Sequence, residues 1–122
     1  MIQALDWRDF ELMVDLIFAA SGWRRVSAVG GSEQADSDLI LEQAATGERA
    51  FVQVKSAATP VVLHDYLDRF AASGLDRMFF VCHSPKGRLE AQQPGVHLWL
   101  GETLTEQAIK AGLFAWLIEK VR

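Results

Sequence analysis

The sequence predicts an α/β fold in which helices flank a central mixed sheet. Three observations predict it. Apolar residues at helical spacing fill the segment Trp7 to Ser21, strand-like segments cluster between Arg24 and Lys55, and a second helical stripe precedes the apolar run Met78 to Cys82. The resulting order is αβββαβ, followed by a further strand and a helix.

The first helix starts at Asp6, a good N-cap, with Leu5 and Phe10 placed as the two members of a hydrophobic staple. It should bury Phe10, Met13, Val14, Ile17 and Phe18 and stop at Gly22. Arg24 to Val29 suits a first strand, and Gly30-Gly31-Ser32 a turn. Thr59-Pro60 opens a second helix, whose buried stripe is Leu63, Tyr66, Leu67 and Phe70 and whose end is Gly74. Met78 to Cys82 is apolar throughout, the pattern of a strand covered on both faces. A loop with two Pro and two Gly spans Ser84 to Gly95, and Val96 to Leu100 is a last short strand. Thr103-Leu104-Thr105-Glu106 reads as a capping box for a C-terminal helix that Gly112 interrupts.

At 122 residues the chain has the size of one ordinary domain, 1–122, with room for a sizeable core. Half of it is hydrophobic and 23% is charged, the composition of a soluble globular protein. No apolar run approaches the roughly 18 residues of a membrane span. No secretory leader is visible, and Cys82 stands alone, so a reducing cytoplasm is the expected home. A net charge of −4 argues against a general polyanion-coating protein, although a local basic groove can coexist with it.

The second and third strands carry the chemistry. Asp38-Leu39-Ile40-Leu41 and Val52-Gln53-Val54-Lys55 alternate, so Asp38 and Ile40 share one face, and Gln53 and Lys55 share one face. A turn centred on Thr46-Gly47 pairs Asp38 with Lys55 and Ile40 with Gln53. An acid, an amide and a lysine then come within roughly 5–8 Å on one sheet face. The plainer alternative is a solvated strand edge, the usual fate of polar residues alternating with Val.

These residues in this order resemble the PD-(D/E)XK nuclease superfamily, and within it the Mrr-type restriction endonucleases. The resemblance runs through Asp9-Phe10-Glu11, Gly22-Trp23, Gly30-Gly31, Asp38-Leu39, Gln53-Val54-Lys55 and a late strand entering Gly101. It implies a restriction-endonuclease-like fold and a Mg²⁺- or Mn²⁺-dependent hydrolase of DNA phosphodiesters, leaving 5′-phosphate and 3′-hydroxyl ends. In that pattern Asp38 and Gln53 hold the metal and Lys55 positions water and offsets charge on the phosphate. Glu11 supports a second metal or the water. The Val54 carbonyl is a further candidate ligand. The family also implies pairing into a homodimer, so that two sites meet both strands of a duplex.

Two positions depart from the pattern. Ser37 stands where the superfamily has proline, and Gln53 replaces an acid, as in the Q-x-K form common among Mrr-like members. Mg²⁺ tolerates few carboxylates because waters and substrate phosphate complete its shell. Asp36, two residues before Asp38, can restore the missing charge. Glu11 lies at the edge of an amphipathic helix, where an exposed Glu is ordinary, and Asp15 one turn on is an equal candidate. Asp36, Glu33 and Gln34 otherwise read as a solvated loop. His64, His83 and His97 lack zinc-site spacing, and Cys82 reads as a buried small hydrophobe. Lys86 and Arg88 fit a solvated loop, with phosphate contact as the alternative. The wide apolar band from Leu113 to Val121 suits either core or self-association. A catalytically silent member that binds DNA or a protein partner is the principal rival, and a basic, acid-retaining junction resolvase a weaker one.

Overall fold

A computed structural model of the chain describes residues 4–29 and 37–121, and their side chains except at 27–29, 37, 38, 114, 115, 117 and 121. The elements run α1 (Trp7–Ala20), β1 (Trp23–Val29), β2 (Ser37–Gln43), β3 (Arg49–Ala58), α2 (Pro60–Ser73), β4 (Arg77–Pro85), β5 (Val96–Leu100), α3 (Gly101–Lys110) and α4 (Phe114–Val121). The sheet keeps sequence order, β1-β2-β3-β4-β5. Its first three strands are antiparallel, and β3, β4 and β5 are parallel. This is the mixed α/β sheet expected.

Local chemistry explains the boundaries. The Asp9 N–H donates to Asp6 Oδ1 at 2.8 Å, capping α1, and Leu5 and Phe10 are both buried in the core. Thr59 caps α2 ahead of Pro60, and Gly74 ends it at φ +75°. β3 and β4 are joined through α2. The link from β4 to β5 returns over the same face, burying Leu89.

Two apolar layers cover the sheet. On one side Phe10, Met13, Val14, Ile17 and Phe18 of α1 and Leu104 of α3 meet Leu39, Leu41, Val52, Val54, Phe79 and Val81. On the other, Leu63, Tyr66 and Leu67 of α2 meet Phe51, Met78, Phe80 and Cys82. β4 sits between both layers, so Met78 to Cys82 are all buried.

The capping box is not used as such. The chain turns straight from β5 into α3 at Gly101, whose φ of +44° makes the turn, and the N-cap Leu100 offers no side-chain bond. Thr103 is therefore already helical. Gly112, at φ +80°, does separate α3 from α4. Leu113 and Trp116 pack against the α1-side core, which favours the core reading of that apolar band over self-association.

The hairpin register also differs from the expected one. The Gln43 N–H donates to the Glu48 carbonyl at 2.8 Å, and the Gly47 N–H donates to the Gln43 carbonyl at 2.8 Å. Gly47 supplies its positive φ, +76°, as the last residue of the loop Ala44–Gly47, not from the middle of a two-residue turn. Asp38 consequently pairs with Gln53, and Ile40 with Phe51. The expected Asp38–Lys55 and Ile40–Gln53 pairings are thus displaced by two positions. A slip by an even number of residues does not change faces, so the Asp38 position stays on the face of Gln53 and Lys55.

Candidate active site

The alternation along β3 places the Q-x-K pair. Ala50, Val52 and Val54 belong to the α1-side layer and Phe51 to the α2-side layer. Gln53 and Lys55 therefore occupy the α2 side. Gln53 is 0% exposed, which rules out the solvated strand edge for it. Its β4 partner is Phe80, itself fully buried. Neither Nε2 nor Oε1 of Gln53 has a hydrogen-bond partner. A buried polar group left this way costs about 1–3 kcal/mol, so its retention calls for an explanation.

Asp38 is the residue directly across β2 from Gln53. The Gln43–Glu48 bond sets the ladder phase: Gln43, Leu41, Leu39 and Ser37 fall in hydrogen-bonded pairs and Asp38 in a non-bonded one. Such pairs have the closer Cα separation, about 4.5 Å. The same phase directs the Val54 backbone groups across the sheet toward Ser37. Its carbonyl lies in the sheet plane and is not presented on the α2 face. Asp36, Glu33 and Gln34 lie outside the described residues.

Lys55 is half-buried, and its Nζ lies 5.2 Å from the centroid of the Tyr66 ring. Tyr66 is in turn packed between Phe51 and Phe80, at centroid distances of 6.3 and 6.1 Å. The helix after the motif thus holds the motif's cation over an aromatic face.

Glu11 is elsewhere. It lines a cleft with Val14, Asp15, Arg25, Leu39 and Val54, under α1 and across the sheet from Gln53 and Lys55. Burial raises the Glu11 carboxyl above its ordinary value, with Asp15 adding repulsion and a Trp7 hydrogen bond opposing. Burial also raises Asp15, against the pull of Arg25, whose Nη2 is 3.8 Å from Asp15 Oδ1. The expected meeting of Glu11 with Gln53 and Lys55 does not occur. α1 packs its apolar stripe on the Val52–Val54 face, and the sheet intervenes.

Among the described residues no three His, Cys, Asp or Glu side chains cluster as a metal cage. Gln53 Oε1, buried and without a hydrogen-bond partner, is a described oxygen donor on this face, at the register position paired with Asp38. One carboxylate, one amide oxygen, waters and substrate oxygens suit Mg²⁺.

Several of the remaining candidates have structural partners. His83 contacts the Leu5 carbonyl and Ser84 Oγ, each at 2.7 Å, as expected for an imidazole at a strand end. His97 stacks on Phe79 and lies 3.3 Å from Arg77 Nη1. Cys82 is buried. Arg88, in its exposed loop, pairs with Glu90 at 2.7 Å. The sequence pattern gave Tyr66 only a core role and passed over Arg69, whose Cζ lies 4.7 Å from the same ring. Their i, i+3 spacing was the available signal.

No curated protein and no solved structure matches the chain. The Mrr catalytic-domain family, described as a restriction endonuclease, matches residues 2–108, spanning α1 through most of α3. With the mixed sheet and the ordered Asp38, Gln53 and Lys55 positions, that match makes the chain a member of the Mrr-type restriction endonuclease family.

Proposed function

We propose that the chain is a metal-dependent DNA endonuclease whose site lies on the α2 face of β2 and β3. The observation that carries this is the buried Gln53 amide with no hydrogen-bond partner, paired with Asp38 and two residues from Lys55. Asp38 and Gln53 Oε1 would hold Mg²⁺ or Mn²⁺, and the Val54 carbonyl, directed along the sheet toward Ser37, is left out of the set. The bound ion would supply Lewis-acid polarisation of the phosphate and a more acidic water. Lys55 carries its positive charge to the scissile phosphate, where it counts most as negative charge develops in the transition state. Phe51, Phe80 and Tyr66 exclude water from the buried side and raise the worth of each charge there.

The test is cleavage of duplex, single-stranded, methylated and junction DNA with Mg²⁺ or Mn²⁺, by wild type and Lys55→Ala. Metal-dependent cleavage lost in the variant is expected. No cleavage of any substrate, together with no metal binding, would remove the nuclease. The second reading, a catalytically silent family member that binds DNA or a protein partner, is favoured by one observation. Glu11 stands on the opposite face, which leaves Asp38 as the one acid of the expected set beside Gln53.

A further inference from the structure

Tyr66 carries two cations. Lys55 Nζ comes from β3 and Arg69 Cζ from α2, at 5.2 and 4.7 Å from the one ring centroid. Tyr66 is 9% exposed and its ring packs against Phe51 and Phe80, so it is a rigid platform. Arg69 has 53% of its side chain exposed, and its ion pair with Asp65, at 3.0 Å, is a surface i, i+4 contact. Exposed pairs of that kind are weak and readily exchanged. A phosphate oxygen pair is the stronger partner for a guanidinium, because it accepts two parallel N–H bonds.

We propose that Lys55 and Arg69, gathered on the Tyr66 ring, form a two-cation binding site for the DNA phosphate backbone. Arg69 contacts a phosphate and exchanges Asp65 for it. Tyr66 is a positioning residue that keeps the flexible Lys55 stem over the α2 face. DNA therefore approaches along α2, and the α1 cleft is not its path. This rests on the nuclease reading of the Q-x-K pair and adds the substrate-facing surface to it.

Binding of a short labelled duplex in metal-free buffer, followed by anisotropy across a salt series, separates the two ideas. Arg69→Ala should weaken binding severalfold and reduce the slope of log affinity against log salt by about one, with an unchanged melting temperature. Asp65→Asn should tighten binding, since it frees the guanidinium and removes a repelling carboxylate. In turnover assays Tyr66→Leu should lower kcat with little change in KM, and Tyr66→Phe, which keeps the ring, should recover most of that loss. Wild type that binds or cleaves DNA while Arg69→Ala keeps the same affinity and salt slope would overturn this site alone. Wild type with neither salt-dependent DNA binding nor cleavage would remove the nuclease reading, and this surface with it.

Discussion

Asp38 and Gln53 face each other across the β2–β3 ladder, and the amide of that pair is sealed from solvent with no hydrogen-bond partner. A stabilising role cannot account for such a group, because an apolar side chain of the same volume would pack there without the desolvation cost. The metal site proposed above would give that amide a partner.

Gln53→Met should therefore raise stability, by about 1–3 kcal/mol if the orphaned amide is the whole cost. The shapes are close enough that overpacking stays small. Urea unfolding of both proteins checks this, and metal-dependent cleavage should disappear in the same variant. Lower stability would mean that the amide has a protein partner after all.

Glu11→Gln should leave DNA cleavage near wild type, since the sheet separates this residue from Gln53 and Lys55. It should also raise the melting temperature at neutral pH. The folded Glu11 has a raised pKa, so its neutral form is favoured by the fold and its ionised form is a burden above that pKa. The difference between variant and wild type should shrink as pH falls through the raised folded value and be gone below the ordinary 4.5. Loss of cleavage in Glu11→Gln would return the residue to the site.

The contrast with Gln53 shows what the sequence could reveal. Apolar spacing gave the buried face of α1, the caps at Asp6 and Thr59, and the doubly covered β4, because each depends on near neighbours in the chain. It could not say which side of the sheet α1 would cover. Both faces of β3 are apolar, Val52 and Val54 on one and Phe51 on the other, so alternation alone left the side of Glu11 open. The register failed for a related reason. Gly47 signals a positive φ, but both a two-residue turn and a four-residue loop ending in glycine satisfy that signal. The Lys55–Tyr66–Arg69 grouping needs α2 docked on β3, a contact between elements that no local pattern encodes.

Gly47→Ala should destabilise the protein by about 1–2 kcal/mol, the cost of the left-handed region for a residue with a Cβ. No atom lies within 4 Å of the added Cβ, so strain at φ +76° is the whole effect. Gly47→Asn should cost less, because Asn tolerates that region better. Denaturant midpoints of the three proteins decide it. Equal midpoints would place the positive φ elsewhere in the loop.

His97 sets an acid-side dependence. Burial first, and Arg77 second, hold its pKa below the ordinary 6.5, so the fold favours the neutral ring. The unfolded chain binds the proton more readily. The contribution of His97 to stability is therefore complete above pH 6.5 and is lost as pH falls through its folded value. Glu11 and Asp15 run the opposite way, so the comparison must be with His97→Gln, whose stability should decline less between neutral pH and about pH 5. Parallel curves for the two proteins would contradict it.

The most direct test of the site is a calorimetric Mn²⁺ titration of wild type, Asp38→Asn and Gln53→Met. Asp38 and Gln53 together are expected to give one saturable Mn²⁺ site in wild type, lost or strongly weakened in each variant. Gln53→Glu, in the same titration, should bind more tightly, since a carboxylate adds the charge the amide lacks. Mn²⁺ binding that survives both Asp38→Asn and Gln53→Met, or no binding by wild type, would contradict the assignment of this pair as the metal-holding centre.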